Sequence, residues 1–167
     1  MFDCVYPCPC GNFGDPQKAC GCAPAVVTKY QKRISGPLLD RIDLHIEVPS
    51  IEYRDMASER AEEPSSAIRE RVSEARKRQH ARFANDSKTN CNARMGTKHL
   101  KQWCKLDWES QELIRVAMTE LNLSARAYDR ILKVARTIGD LASAENIAGE
   151  HVSEAIQYRS FDRTLWV

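Results

Sequence analysis

Four of the seven cysteines in this 167-residue chain stand in two close pairs, Cys8-Pro9-Cys10 and Cys20-Gly21-Cys22. Gly11, Gly14 and Pro16 make the segment between them rich in turns. Two local pairs brought together by a loop are how a chain supplies four sulfur ligands to a tetrahedral zinc ion. The one-residue gap is tighter than the usual spacing of ~2–4, and free thiols or an occasional disulfide in a structural loop are the alternative. A zinc ion with four protein ligands keeps no position for a catalytic water, so such a site would be a staple rather than a reaction centre. Cys4, Cys91 and Cys104 are scattered and read as ordinary thiols.

Three groups of arginines are the other residues with chemical potential. Arg41 lies in "SGPLLDRIDLHIEVP", at a helix-to-strand corner beside Asp40 and Asp43. Taken bare, it is a surface arginine paired with a neighbouring aspartate. Arg126 falls in the first turn of a helix capped by Ser124, where the helix dipole disfavours a cation. A nearby phosphate would resolve that conflict, and a solvated arginine would tolerate it. The segment 65–83 is the most basic, with six Lys/Arg against Glu70 and Glu74. At ~100° per residue, Arg71, Arg78 and Arg82 flank its apolar stripe on one side and Arg69 and Arg76 on the other. Such flanks can neutralise nucleic-acid phosphates without reading sequence. The alternative is a solvated face that keeps the helix soluble or meets an adjacent subunit. Trp103 and Trp108 suit either base stacking or a core.

The elements that must position these groups follow from periodicity. After the cysteine segment, Pro24 and the spacing of Val26, Val27, Tyr30 and Ile34 suit a short helix. "DLHIEVP" alternates Leu44, Ile46 and Val48 against Asp43, His45 and Glu47, the pattern of a half-buried strand closed by Pro49. Residues 51–64 read as a polar linker. Beyond it, Ile68, Val72, Ala75 and Phe83 form one helical stripe. Asp107 caps a helix carrying Leu113, Ile114, Ala117, Met118 and Leu121 inward. Ser124 caps another with Tyr128, Ile131, Leu132, Ala135, Ile138 and Leu141 inward, and a last helix covers 151–159. The expected fold is mostly α with a short β element, ending in a small helical bundle.

Charge is nearly balanced, at +2, with 29% charged residues. Any nucleic-acid role therefore rests on a local patch. No apolar run approaches a membrane span and no signal-peptide pattern opens the chain, so a soluble, cytoplasmic protein is expected. In that reducing setting paired cysteines point to metal ligands or free thiols rather than disulfides.

The run "PCPCGNFGDPQKACGCAP…YQKRISGPLLDRIDLHIEVP", with "LNLSARAYDRILKVARTIGDLA" and "HVSEAIQYRSFDR", resembles the C-terminal part of the magnesium-chelatase-like AAA+ ATPases, the bacterial YifB/ComM proteins. The resemblance spans nearly the whole chain from Pro7. It implies residues 1–50 as the end of an AAA+ α/β core with its cysteine loop, finger corner and last strand, and 65–167 as the helical lid. It implies a homo-oligomeric, hexameric ring that hydrolyses ATP with magnesium, and for the competence-associated members a helicase role in DNA branch migration. Matched residue by residue, Arg41 is the arginine finger reaching a neighbour's γ-phosphate, and Arg126 is the sensor-2 arginine of the lid. No porphyrin-specific feature accompanies the match.

The sequence departs from that family in what it lacks. It holds neither a Gly-rich loop ending in Lys-Ser/Thr nor an acidic Walker B, and "GTKH" at Gly96 has no upstream glycine or following hydroxyl. Tyr6 stands where the family places an Asn before "PCPCG", and "MFDCVY" does not resemble the expected sensor-1 strand. The expectation is a truncated, split or frame-disrupted reading frame whose product alone neither binds ATP strongly nor hydrolyses it, and which needs a P-loop-bearing subunit. The alternatives are a stand-alone zinc-stabilised DNA-binding or adaptor protein, and an inert product whose strand lacks partners.

Overall fold

The computed structural model describes residues 5–39, 41–51, 57 and 63–164, the side chains of 36, 37 and 160–164 excepted. Cys4, Asp40 and most of the expected linker lie outside the described residues. The chain divides into two compact units, 1–58 with 161–167, and 59–160.

In the first unit the cysteine segment is a succession of turns. Gly11 N–H donates to the Cys8 carbonyl at 3.0 Å and Asp15 N–H to that of Asn12 at 3.2 Å. Gly11 and Gly14 both take φ of +83°, a conformation that side chains disfavour. Helix α1, Pro24–Gln31, starts on a proline whose missing N–H costs a first turn nothing. It buries Val27, and its last residue donates from Gln31 Nε2 to the Pro7 carbonyl at 3.2 Å, tying the helix to the cysteine loop. The short α2, Gly36–Leu39, follows.

The expected strand is not formed: residues 44–50 are irregular, and no strand occurs among the described residues. Alternation alone does not make a strand, which requires a ladder partner for its N–H and C=O groups. Its apolar positions are open, with Ile46 66% and Val48 82% exposed.

The second unit is helical: α3 Ser65–Arg82, a 3₁₀ turn Asn92–Arg94, α4 Thr97–Trp103, α5 Trp108–Glu120, α6 Ala125–Leu141 and α7 Gly149–Thr164. Helix α6 is the hub, packing against α3, the 3₁₀ turn and α4. Its Ile131, Leu132 and Ala135 join Phe83, Leu100, Ile114, Ile147 and Val152 in one apolar core. The Asp107 and Ser124 caps form as their residue types require, accepting from Ser110 N at 2.8 Å and Ala127 N at 3.2 Å. Helices α5 and α6 both end on a left-handed residue, Asn122 (φ +43°) and Ser143 (φ +58°). Leu123 N–H then reaches back to Met118 O and Ala144 N–H to Gly139 O, closing each helix with the six-to-one bond of a Schellman motif.

The apolar stripes are less completely covered than their spacing implies. Ala75 and Phe83 are buried, but Ile68 and Val72 on α3, Leu113 on α5 and Tyr128 on α6 remain exposed. No described helix is long and apolar enough to cross a membrane.

Candidate metal centre and arginine positions

The two cysteine pairs converge. The sulfurs of Cys8, Cys10, Cys20 and Cys22 all lie within 4.8 Å of one another. Cys8 Sγ is 3.4 Å from Cys10 Sγ and 3.7 Å from Cys20 Sγ, and Cys10 Sγ is 3.6 Å from Cys20 Sγ. Four sulfurs at ~2.3 Å from a central ion in a tetrahedron stand roughly 3.8 Å apart, so this spacing suits one zinc-sized ion. The turn at Cys8–Gly11 and the Asx turn at Asp15, which accepts from Gln17 N at 2.7 Å and Lys18 N at 3.2 Å, fold the segment back on itself. Cys8 is fully buried and Cys10 exposed, placing the cluster at the edge of its unit.

Cys10 and Cys20 differ in how readily each gives up its proton. The Asn12 backbone N–H, followed by the Cys8 thiol and the Gly21 N–H, brings Cys10 down to about 6. At Cys20 the Cys22 N–H pulls downward, but desolvation, the neighbouring thiols and the negative Cys10 together push the thiol up to about 12. One thiolate thus forms easily and opposes the next, a repulsion that a retained proton or a bound cation relieves.

The arginines singled out by sequence fall in different places. Arg41 is exposed in the turn after α2, its N–H donating to Leu38 O at 2.9 Å. Arg126 is exposed in the first turn of α6, in the other unit. On α3, Arg69 and Arg76 are exposed, Arg71 pairs with Glu63 at 2.9 Å, and Arg78 is half-buried. Arg82 is committed inward: its guanidinium grips Asp140 at 2.7 and 2.5 Å, donates to Asn92 Oδ1 at 2.8 Å, and lies over the Trp103 ring. It is therefore not a free phosphate contact.

That commitment belongs to a buried polar cluster which sequence patterning did not anticipate. Asp140 also accepts from Asn92 Nδ2 at 2.8 Å and pairs with Arg136 at 3.2 Å, while Arg136 donates to the Ala144 and Glu145 carbonyls at 2.8 Å each. The signal available was Arg136 and Asp140, four residues apart, in phase with Leu132 and Ala135 on the inward face of α6. Cys104 behaves as an ordinary core thiol, pushed up to about 11 by burial.

A turn-bound four-cysteine cluster in one unit and an α-helical bundle in the other define a metal-binding-type loop joined to a helical module. Residues 62–159 match the family of magnesium chelatase subunit ChlI C-terminal regions, and residues 1–56 match magnesium chelatase subunit ChlI. The chain belongs to this magnesium-chelatase-like family. It is 35% identical over 167 residues to the uncharacterized protein YifB of Salmonella typhimurium, covering 99% of this chain and 31% of that protein. It is 36% identical to YifB of Escherichia coli, covering 96% of this chain and 31% of the relative. With the competence protein ComM of Haemophilus influenzae it shares 36% identity, covering 96% and 30%. The chain thus spans about a third of the length of these relatives.

Proposed function

We propose that this chain is the finger-and-lid module of a ring-forming, magnesium-chelatase-like AAA+ ATPase whose ring works on DNA in the manner of a branch-migration helicase. The observation that supports this reading is the ordered pair of family matches, over 1–56 and then 62–159, with Arg41 inside the first and Arg126 inside the second. Both side chains are exposed, as residues that meet a nucleotide bound elsewhere must be. Arg41, on the turn that follows α2, approaches the γ-phosphate held by a neighbouring subunit and stabilises charge that develops there in the transition state. Arg126 presents its guanidinium from the first turn of α6, where an anion from nucleotide is favoured and would relieve the cation's conflict with the dipole.

Cys8, Cys10, Cys20 and Cys22 would hold a structural zinc ion, which supplies cross-linking of the loop and no reaction step. Their spacing supports this ligand set. The exposed Arg69 and Arg76 are the α3 arginines left to meet DNA phosphates.

The 167 residues contain no phosphate-binding loop, so the test is complementation. The chain is mixed with the P-loop-bearing N-terminal part of a full-length relative, and ATP hydrolysis is followed. The expected outcome is stimulation by the intact chain, a loss of ~10³-fold or more of that stimulation with Arg41→Ala, and a weakened response with Arg126→Ala. A folded, metal-loaded chain that stimulates nothing, or whose stimulation survives Arg41→Ala, defeats the reading.

A further inference from the structure

The sulfurs of the cysteine loop are not equivalent in their access to solvent. Cys8 is fully buried, Cys20 and Cys22 are half-buried, and Cys10 is exposed. A dissolved oxidant therefore meets Cys10 first. Cys20 stands against it from the second pair, with the two Sγ atoms 3.6 Å apart. The Gly21 N–H is directed at the Cys10 sulfur, so the backbone as well as the thiols holds the second pair against the first. Cys8 is as close to Cys10, at 3.4 Å, but the two share one turn closed by Gly11 N–H on the Cys8 carbonyl. Bridging them would close a small ring stiffened by Pro9, far from the geometry a disulfide prefers. Cys91 and Cys104 belong to the other unit, where Cys104 is buried in the helical core.

We propose that Cys10 and Cys20 form a reversible disulfide when the chain meets hydrogen peroxide, closing the loop covalently in place of an ion. The pairing rests on the sulfur positions alone, and only the exchange with an ion rests on the zinc reading above. In the first step the Cys10 thiolate attacks one peroxide oxygen, the O–O bond breaks, and hydroxide leaves; the sulfur becomes a sulfenic acid. In the second step Cys20 attacks the Cys10 sulfur. The S–S bond forms as the S–O bond breaks, and the departing hydroxide takes the Cys20 proton to become water. Two thiols have lost two electrons and the peroxide has gained two. Closing 3.6 Å to the ~2.0 Å of a disulfide needs a shift of roughly 1.5 Å, within the reach of an exposed side chain that changes rotamer. A neighbour so close also intercepts the sulfenic acid before further, irreversible oxidation. The bond takes two of the four donors, and two sulfurs do not complete a tetrahedron, so a bound ion leaves. The loop then exchanges one cross-link for another, and a dithiol reverses the exchange.

Peptide mapping by mass spectrometry tests it on the full 167-residue chain, treated with hydrogen peroxide both as purified and after metal has been stripped. The expected product in each case is a bridge between Cys10 and Cys20, with two thiols lost per chain and both regained on adding dithiothreitol. In a zinc-loaded chain, a chromogenic chelator should register one ion released per disulfide formed. If the chain as purified carries no zinc, the zinc reading fails and the mapping still decides the pairing. Cys20→Ser should leave Cys10 as a sulfenic acid that a 1,3-dione probe traps, a signature that a purely structural cysteine does not give. Cys10→Ser should slow thiol loss from the loop by ~10-fold or more, since the accessible sulfur is gone. Bridges that run instead to Cys22, Cys91 or another copy of the chain would overturn the proposal. So would a Cys10 that stays reduced while other cysteines oxidise, a Cys20→Ser chain with nothing to trap, or a disulfide that forms with zinc still bound.

Discussion

The cysteine loop and the Arg82–Asp140 cluster both gather polar groups from separated positions, yet they stand in opposite electrostatic conditions. In the helical unit, Asp140 is enclosed by Arg82, Arg136 and Asn92, so its negative charge is met wherever it turns. In the loop, four sulfurs face one another, and forming one thiolate raises the cost of the next. The apolar support differs in the same direction. The helical unit has a continuous core of eleven buried residues, whereas buried apolar side chains described in the first unit are Cys8 and Val27. A fold that lacks apolar burial has to be closed by something else, and a metal does this in small domains. The expectation that follows is a self-sufficient helical unit and a loop unit conditional on a bound ion.

The largest expected effect breaks that contrast most directly. Zinc binding by structural cysteine sites contributes on the order of 10–16 kcal/mol in isolated fingers. The purified chain should hold one equivalent of zinc by elemental analysis. Chelation, or Cys8→Ser, should abolish amide-exchange protection across 8–31 while leaving α3 to α7 protected. Loss of protection throughout both units would show that the helical unit is not self-sufficient. A chain with no metal and unchanged protection at 8–31 would show that the loop is closed without an ion.

Next in size is the cluster itself. Asp140→Asn removes the charge but keeps the shape, leaving the buried Arg136 and the partly buried Arg82 facing a neutral amide. Breaking a buried pair by removing one partner costs about 3–5 kcal/mol. Chemical denaturation should register a loss of that order, with metal content unaffected. A loss below roughly 1 kcal/mol would mean that the cluster is wet enough to behave as a surface pair.

Much of this architecture was legible in the sequence because it is local. Asp107 and Ser124 declare helix starts by offering a side-chain oxygen to an N–H three residues on, and both do so in the structure. The cysteine pairs were legible for the same reason: each pair is set by one intervening residue, and the glycines between them permit the turns. What failed was whatever depends on a distant partner. The alternation in "DLHIEVP" says which side chains share a face, but a strand exists only beside another strand. Ile68, Val72 and Leu113 fit helical stripes, yet periodicity cannot say how far along a helix its cover extends. Asp140 was missed because its partners Arg82 and Asn92 lie 58 and 48 residues away. Read from its own helix alone, Arg82 groups with Arg71 and Arg78 on one flank of the apolar stripe.

The smallest expected effect sharpens the same distinction between groups satisfied within the chain and groups awaiting a partner. Asp107 is an exposed carboxylate, but the Ser110 N–H it accepts holds its carboxyl below the usual carboxylate range. Because the folded value lies below the unfolded one, its contribution is fully present above the ordinary aspartate range near ~4. It fades as pH falls through the lower folded value. Asn caps a helix about as well as Asp but carries no proton to gain. Asp107→Asn should therefore change neutral-pH stability little and make the acid limb of the helical unit's stability curve shallower. Thermal unfolding between pH 6 and pH 3 measures this, with probe signals confined to α5 to α7. If the two proteins lose stability in parallel as the pH falls, the cap is not titrating, and the acid sensitivity belongs instead to groups such as Asp86, which the Lys88 and Thr89 N–H groups hold low in the same way.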